Sequence, residues 1–398
     1  MTRWIATGGW ALLAWLACTA VAQAAPERQG PEGFWVRPGF RVTKVAEGFG
    51  EARFLAVLDA QTVFVSQPEA GTLTVLRDED GDGTYERHWV VLDGRRTLHG
   101  LALADGYLYI AMSGSIERVA VAAGEAWPVG RRLAGLQTVI AEGEVPSGGG
   151  HWWRSVLVRG NRLWTSIGDS GNITDETETP RQKLWVYELD DAGRARNGRV
   201  WSTGLRNTEK LQFRPGTSEV WGCDHGSDDI GARFGERGGG PVTDMFPPCE
   251  FNHYVDGFDY GHPFITGLGW PRPEYAARSD ILQRADRNTP PAWPLGAHWA
   301  PNGWTFLQHD GLFGRGGDAL IACHGSWNSR RKVGYRLERV LFDEVTGRPM
   351  GSQMIVGTLN ENGTEVLARP CDVSELPDGS VLWTDSLHRR VFRLERVR

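Results

Sequence analysis

Four short polar groups recur in this chain at similar places in its pattern: Leu98-His99-Gly100, Gly150-His151-Trp152-Trp153-Arg154, Gly204-Leu205-Arg206-Asn207 and Ala368-Arg369-Pro370-Cys371-Asp372. His151 is the residue to select as a general base. An imidazole titrates near neutral pH and can take a hydroxyl proton once an aspartate or a backbone carbonyl fixes its tautomer. His99 is a second histidine in a similar setting. Arg206 and Arg369 carry rigid forks that either pair with the carboxylates of an anionic ligand or bond loop carbonyls and fasten neighbouring units. Trp152 and Trp153 are either a packed apolar corner or the cover of a site. A fifth stretch, Asp224-His225-Gly226-Ser227-Asp228-Asp229, interleaves carboxylates with glycine and serine. That pattern suits calcium, which takes oxygen ligands and often uses backbone carbonyls, but it equally suits a solvated acidic turn. His324-Gly325-Ser326-Trp327-Asn328 opens a comparable loop.

The elements that must position these groups repeat. A turn rich in Gly, Asp or Asn leads into a short strand ending in small or polar residues, at 61–67, 106–113, 161–169, 218–226, 318–325 and 379–386. Several are followed by a returning strand, at 72–78, 115–121, 183–190, 334–342 and 390–397. Apolar and polar residues alternate within them, which is the period-two signature of antiparallel strands. Each unit spans enough chain for a blade of four strands, about 40–45 residues, plus loops. Six such units predict an all-β fold, a six-bladed β-propeller, as a single domain over 25–398. Equivalent positions in successive blades of a propeller converge on the axis, so groups remote in sequence share one pocket. The stretch 231–303, rich in Gly, Pro and aromatics, shows no strand rhythm and is expected to form long ordered loops over one face.

Composition narrows the function classes. The 398 residues carry a net charge of -6 and no Lys/Arg-rich tract, so no electrostatic footprint for nucleic acid is present. Arg3, an apolar run up to Val21 and Ala22-Gln23-Ala24 stand in secretory order, predicting a leader over 1–24, no retained membrane span and a periplasmic or secreted protein. The mature chain then holds Cys223, Cys249, Cys323 and Cys371, which an oxidising compartment could pair into two disulfides, Cys223 with Cys249 closing a short loop. Asp78-Glu79-Asp80-Gly81-Asp82-Gly83 looks like the start of a calcium loop, but its strand-like flanks predict a hairpin.

The segments GGGHWWRSVLVRGNRLWTSIGDSGN (148–172), GLRNTEKLQFRPGTSEVWGCDHGSDDIG (204–231), APNGWTFLQHDGLFGRGGDALIACHGSWN (300–328) and EVLARPCDVSELPDGSVLWTDS (365–386) together resemble the soluble quinoprotein sugar dehydrogenases. The similarity is strongest to their sorbosone dehydrogenase-like branch. That resemblance implies a six-bladed propeller using pyrroloquinoline quinone (PQQ) and Ca2+ to oxidise a small-molecule sugar, with an external electron acceptor, a quinone or a cytochrome. It implies His151 as the base, Arg206, Asn207 and Arg369 at the cofactor, with His99 and Trp152 as further cofactor contacts, and calcium held by carbonyls at Gly226 and Ser227. The chain departs from the family where Thr208-Glu209-Lys210 follows Asn207 and where Cys371 replaces an arginine. Two other functions fit a propeller. One is a calcium-dependent lactonase or esterase recruiting Asp169, Asn172, Asp224 and Asp372; the other is a non-catalytic carbohydrate- or protein-binding module. Without a C-x-x-C-H motif, any haem partner is a separate protein.

Overall fold

Alternating Val, Leu, Tyr and Trp residues drive the chain into short strands that bury both faces when sheets stack around an axis. The computed structural model describes residues 30–267 and 269–397; the expected leader over 1–24 lies outside them. Six sheets of four or five antiparallel strands form, with a separate two-stranded hairpin, Ile265–Thr266 with Trp270–Pro271. This is the expected six-bladed propeller. Its innermost strands are Leu55–Asp59, Gly100–Ala104, Leu157–Arg159, Leu211–Phe213, Pro301–Phe306 and Pro370–Glu375.

The six repeat strands legible in the sequence are the second strand of each blade: Thr62–Gln67, Tyr107–Ala111, Arg162–Ile167, Val220–Asp224, Ala319–Cys323 and Val381–Asp385. Clamped between two blades, they bury nearly every residue, and Trp221 and Trp383 in this layer have no exposed surface. Burying a side chain of that class contributes roughly 1.5–3 kcal/mol. Ring closure is made by the N-terminal strand Phe40–Glu47, which pairs with Arg390–Arg396 in the last blade, Val42 opposite Leu394. That pairing joins the chain ends and leaves the ring without an open seam.

Two expectations are corrected. The 231–303 stretch is not all loop: Pro248–Tyr254 and Trp293–Ala297 are the outer strands of the fourth blade, and a long insertion separates them. Interruption of the blade explains why no rhythm shows in sequence. The four cysteines are free and buried. Strand register sets Phe251 opposite Cys223, two residues from Cys249. Such diagonal neighbours sit roughly 7–8 Å apart, beyond bridge geometry, and Cys249 Sγ instead accepts the Gly226 amide at 3.4 Å.

Candidate functional site

The polar groups come together because each lies at the entrance to an innermost strand. Asp169, just past Arg162–Ile167, anchors the centre. Its backbone carbonyl accepts from His151 Nδ1 at 3.0 Å, and its own amide donates to the Arg206 carbonyl at 2.9 Å. Between them Gly168 admits no side chain: a Cβ there would lie 2.7 Å from the Arg206 oxygen and 2.8 Å from His151 Cβ. The Asp169 carboxylate, fully buried, accepts from Gly171 and Thr174 amides, from Gln182 and from His262 Nε2 at 2.7 Å. Burial, then the Arg206 charge, press His151 down to about 3. It is therefore neutral at neutral pH, with Nδ1–H donated to Asp169 and no protein partner for Nε2 among the described residues.

Arg206 is held by the loops that follow Arg162–Ile167 and Val220–Asp224. Nε donates to the Asn172 carbonyl at 3.1 Å, and Nη2 reaches Asn172 Oδ1 and Asp228 Oδ2, each at 2.9 Å. Asp224 accepts the amides of Arg206 and Asn207. Asn207 Nδ2 donates to Glu209 Oε1 at 3.0 Å and lies 3.1 Å from His225 Nδ1, while its buried Oδ1 faces no partner. The departure Thr208-Glu209-Lys210 is compensated in three dimensions. Glu209 meets Arg53 at 3.2 Å, and Lys210 meets Asp372 at 2.6 Å. Arg53 also lies 4.2 Å from the centroid of Trp153, which stacks on half-buried Trp152 at 3.7 Å.

His99 has no exposed surface. It packs between Phe54 and Trp153, with Nε2 3.3 Å from Glu209 Oε2 but not aligned for a hydrogen bond, and Nδ1 without a partner. It thus lies beneath the cluster. Arg369 donates to the carbonyls of His324 and Gly325 at 3.2 and 3.3 Å and has no carboxylate partner among the described residues. Burial and the charges of Arg369 and Arg53 push His324 well below its ordinary value. His151, Arg206 and Asn207 thus belong to one hydrogen-bonded network, to which Arg53, Glu209, His225 and His262 were added only by folding; Arg369 and His324 are tied to it by charge alone, His324 feeling Arg53, Glu209 and His225. His225 and His324 sat inside quoted motifs; Arg53 left no mark because it stands alone in the turn before the first blade.

Gly226 and Ser227 line a cavity of about 20 Å³, with Asp224, Glu250, Pro247 and Pro248 offering oxygens and with Arg206, His225 and His262 also on its wall. A Cβ on Gly226 would meet the Pro248 and Pro247 carbonyls at 2.6 and 2.8 Å. Ser227 Oγ accepts from the buried Arg272, so its backbone carbonyl is what it can offer a cation. Burial and Asp224, opposite it on the neighbouring strand, push Glu250 up to about 8. Two carboxylates and crowded carbonyls around a space of one ion match a calcium donor set. The lactonase set does not converge on one metal: Asp169 is committed to His262, Asp372 to Lys210, and Asn172 to Arg206 and Asp228. Asp78, Asp80 and Glu86 do lie close enough together to share an ion, at an outer hairpin remote from this network in the chain.

Family comparison agrees with this architecture. The TrAA12-like sequence profile matches residues 34–378. The chain belongs to the TrAA12-like family. Among solved structures, this TrAA12-like chain is similar to the calcium structure of a Trichoderma reesei protein of Carbohydrate-Active Enzymes Family AA12. The TM-score is 0.75 at 17% identity, over 92% of this chain and 97% of that one. It is similar to the holo form of the pyranose dehydrogenase PQQ domain of Coprinopsis cinerea, with TM-score 0.74 at 19% identity over 91% and 97%. It is also similar to the PQQ-bound aldose sugar dehydrogenase of Streptomyces coelicolor, with TM-score 0.60 at 18% identity over 90% and 99%. The fold is that of the quinoprotein dehydrogenases. Curated relatives are an uncharacterised protein of Borreliella burgdorferi, 24% identical over 59% of this chain, and one of Synechocystis, 26% identical over 67%. The TrAA12-like chain covers 58% and 61% of their lengths.

Proposed function

We propose that this protein is an exported PQQ- and calcium-dependent dehydrogenase that oxidises a sugar at a hydroxyl or aldehyde hydrate. One observation carries the reading: a neutral His151 with a free Nε2 shares a hydrogen-bonded network with two guanidinium groups, Arg206 and Arg53, while a third, Arg369, has no carboxylate partner among the described residues. A half-buried guanidinium whose side chain meets only carbonyls fits a flat polycarboxylate, and the orphaned Asn207 Oδ1 fits a ligand that brings a donor of its own.

Arg369, Arg206 and Asn207 would hold the quinone, with Arg53 adding charge where Cys371 supplies none, and the Gly226–Ser227 loop would hold calcium. Bound there, the quinone supplies the hydride acceptor and calcium polarises it. His151 receives the hydroxyl proton on Nε2, since Nδ1–H is spent on Asp169. Asp169 keeps that tautomer and steadies the imidazolium that forms. Half-buried Trp152, on Trp153, would shield the bound quinone from water. Export to the periplasm or medium follows from the leader expected over 1–24.

The test is titration of the calcium-loaded protein with PQQ, followed by dye-linked oxidation across an aldose, alcohol and aldehyde panel. His151→Gln should lower turnover by about 100-fold or more, with circular dichroism unchanged. No absorbance change on PQQ addition and no dye reduction across the panel would refute the reading.

A further inference from the structure

The fourth-blade loop 225–247, the insertion after Pro248–Tyr254 and the fifth-blade loop 324–335 together build a surface beside the site. Phe234, Met245, Trp270 and Trp327 are each between 54% and 76% exposed, unusual for large apolar side chains on a folded surface. They are continuous. Gly231 donates to Thr243 at 3.1 Å, joining the turn Ile230–Phe234 to the short helix Pro241–Met245. Arg330 Nε meets Asp244 at 2.7 Å, joining that helix to the 327–333 loop, and the Phe246 and Trp270 rings lie 5.1 Å apart. A groove of about 550 Å³ runs between the helix and Ser329–Val333.

Around this apolar centre stand Arg233, Arg237, Arg331 and Lys332, all exposed and none with a carboxylate partner among the described residues. With Arg330 they make five cations. The same elements carry three carboxylates, Asp229, Glu236 and Asp244, of which Asp244 is paired with Arg330, so positive charge exceeds negative by two. A cationic rim on a chain of net charge -6 is a local reversal of sign.

Its distance from the site is one residue. Asn328, next to Trp327, donates to Asp228 Oδ1 at 2.7 Å, and Asp228 Oδ2 accepts from Arg206. We infer that this surface docks a small one-electron carrier protein with an acidic face, which takes the electrons out of the site. The inference rests on the dehydrogenase reading above. Each sugar oxidised delivers a hydride and a proton; two oxidised carriers take one electron each, and two protons are released to solvent. An apolar centre for close approach, ringed by complementary charge for encounter, suits such transient complexes.

The test uses the protein loaded with PQQ and calcium. Mitochondrial cytochrome c and its succinylated form carry the same haem under opposite surface charge, and a small neutral dye reports the chemistry alone. Expected is faster reduction of the succinylated form, slowed by salt and slowed about tenfold or more in the Arg331→Glu, Lys332→Glu double variant, with the dye rate within twofold of wild type. Equal rates with both cytochromes, a preference for the basic form, or equal losses with dye and cytochrome would overturn the docking surface. Absence of dye reduction in wild type would instead overturn the dehydrogenase reading. Variant-sensitive binding to anionic vesicles, with cytochrome rates unchanged, would reassign the patch to a membrane and overturn the carrier.

Discussion

His262 Nε2 lies 2.7 Å from Oδ2 of Asp169, so the aspartate whose carbonyl holds the candidate base is itself held by a second histidine across the fourth-blade insertion. Asp169 is buried and pressed below the ordinary carboxylate range by its partners, His262 first among them. Removing one partner from a buried carboxylate costs about 1–3 kcal/mol. His262→Phe should therefore lower Tm and, by loosening Asp169, reduce turnover more than it changes KM. His262→Gln should recover part of both. Unchanged turnover in His262→Phe would show that Asp169 is positioned without it.

Burial and the Arg206 charge hold His151 at about 3, and burial holds His262 at about 4, below the free histidine value. The unfolded chain takes up these protons first as the solution is acidified. Stability is therefore complete above about pH 6.5 and falls as pH drops toward 3–4. Thermal unfolding between pH 7 and pH 4 should show this decline, and His151→Gln should make it shallower by one proton. Histidine NMR should show the His151 titration moving upward in Arg206→Gln, because a depressing charge is gone.

Lys210 and Asp372 form an ion pair at 2.6 Å in the axial interior, with Asp372 also accepting the Leu55 amide. Breaking a buried pair on one side costs about 3–5 kcal/mol. Lys210→Met should show this in denaturant unfolding. Lys210→Met combined with Asp372→Asn should regain a large part, because the amide oxygen still accepts from Leu55 and no charge is stranded. Equal losses in the single and double variants would contradict the account.

Calcium at the 20 Å³ cavity would keep Glu250 ionised beside Asp224. A ligand bound only by the folded state at 100 times its Kd stabilises by about 2.7 kcal/mol. Millimolar calcium should raise Tm in the wild type and in Glu86→Gln, which alters the outer hairpin cluster, but much less in Glu250→Gln. The reverse pattern would move the stabilising ion to Asp78, Asp80 and Glu86.

The blades and the candidate base were legible in the sequence because local chemistry determines them. Period-two alternation writes the strand, and a strand shared between two sheets is apolar on both faces, so Thr62–Gln67 and its five counterparts stood out. His151 stood out because it enters such a strand among glycines. The outer half of the fourth blade, Pro248–Tyr254 with Trp293–Ala297, was illegible because its hydrogen-bond partners lie on either side of an insertion, and register exists only between segments. For the same reason Cys223 and Cys249, close in sequence, miss each other by two positions. Glu209 and Lys210 read as departures until Arg53 and Asp372, from the far side of the ring, neutralised them. The sequence by itself determined which residues form strands and which groups sit at their ends. The tertiary structure decided which charges meet a carboxylate and which, like Arg369, meet only carbonyls, because a charge taken from water is judged by neighbours that only ring closure brings within a few ångströms.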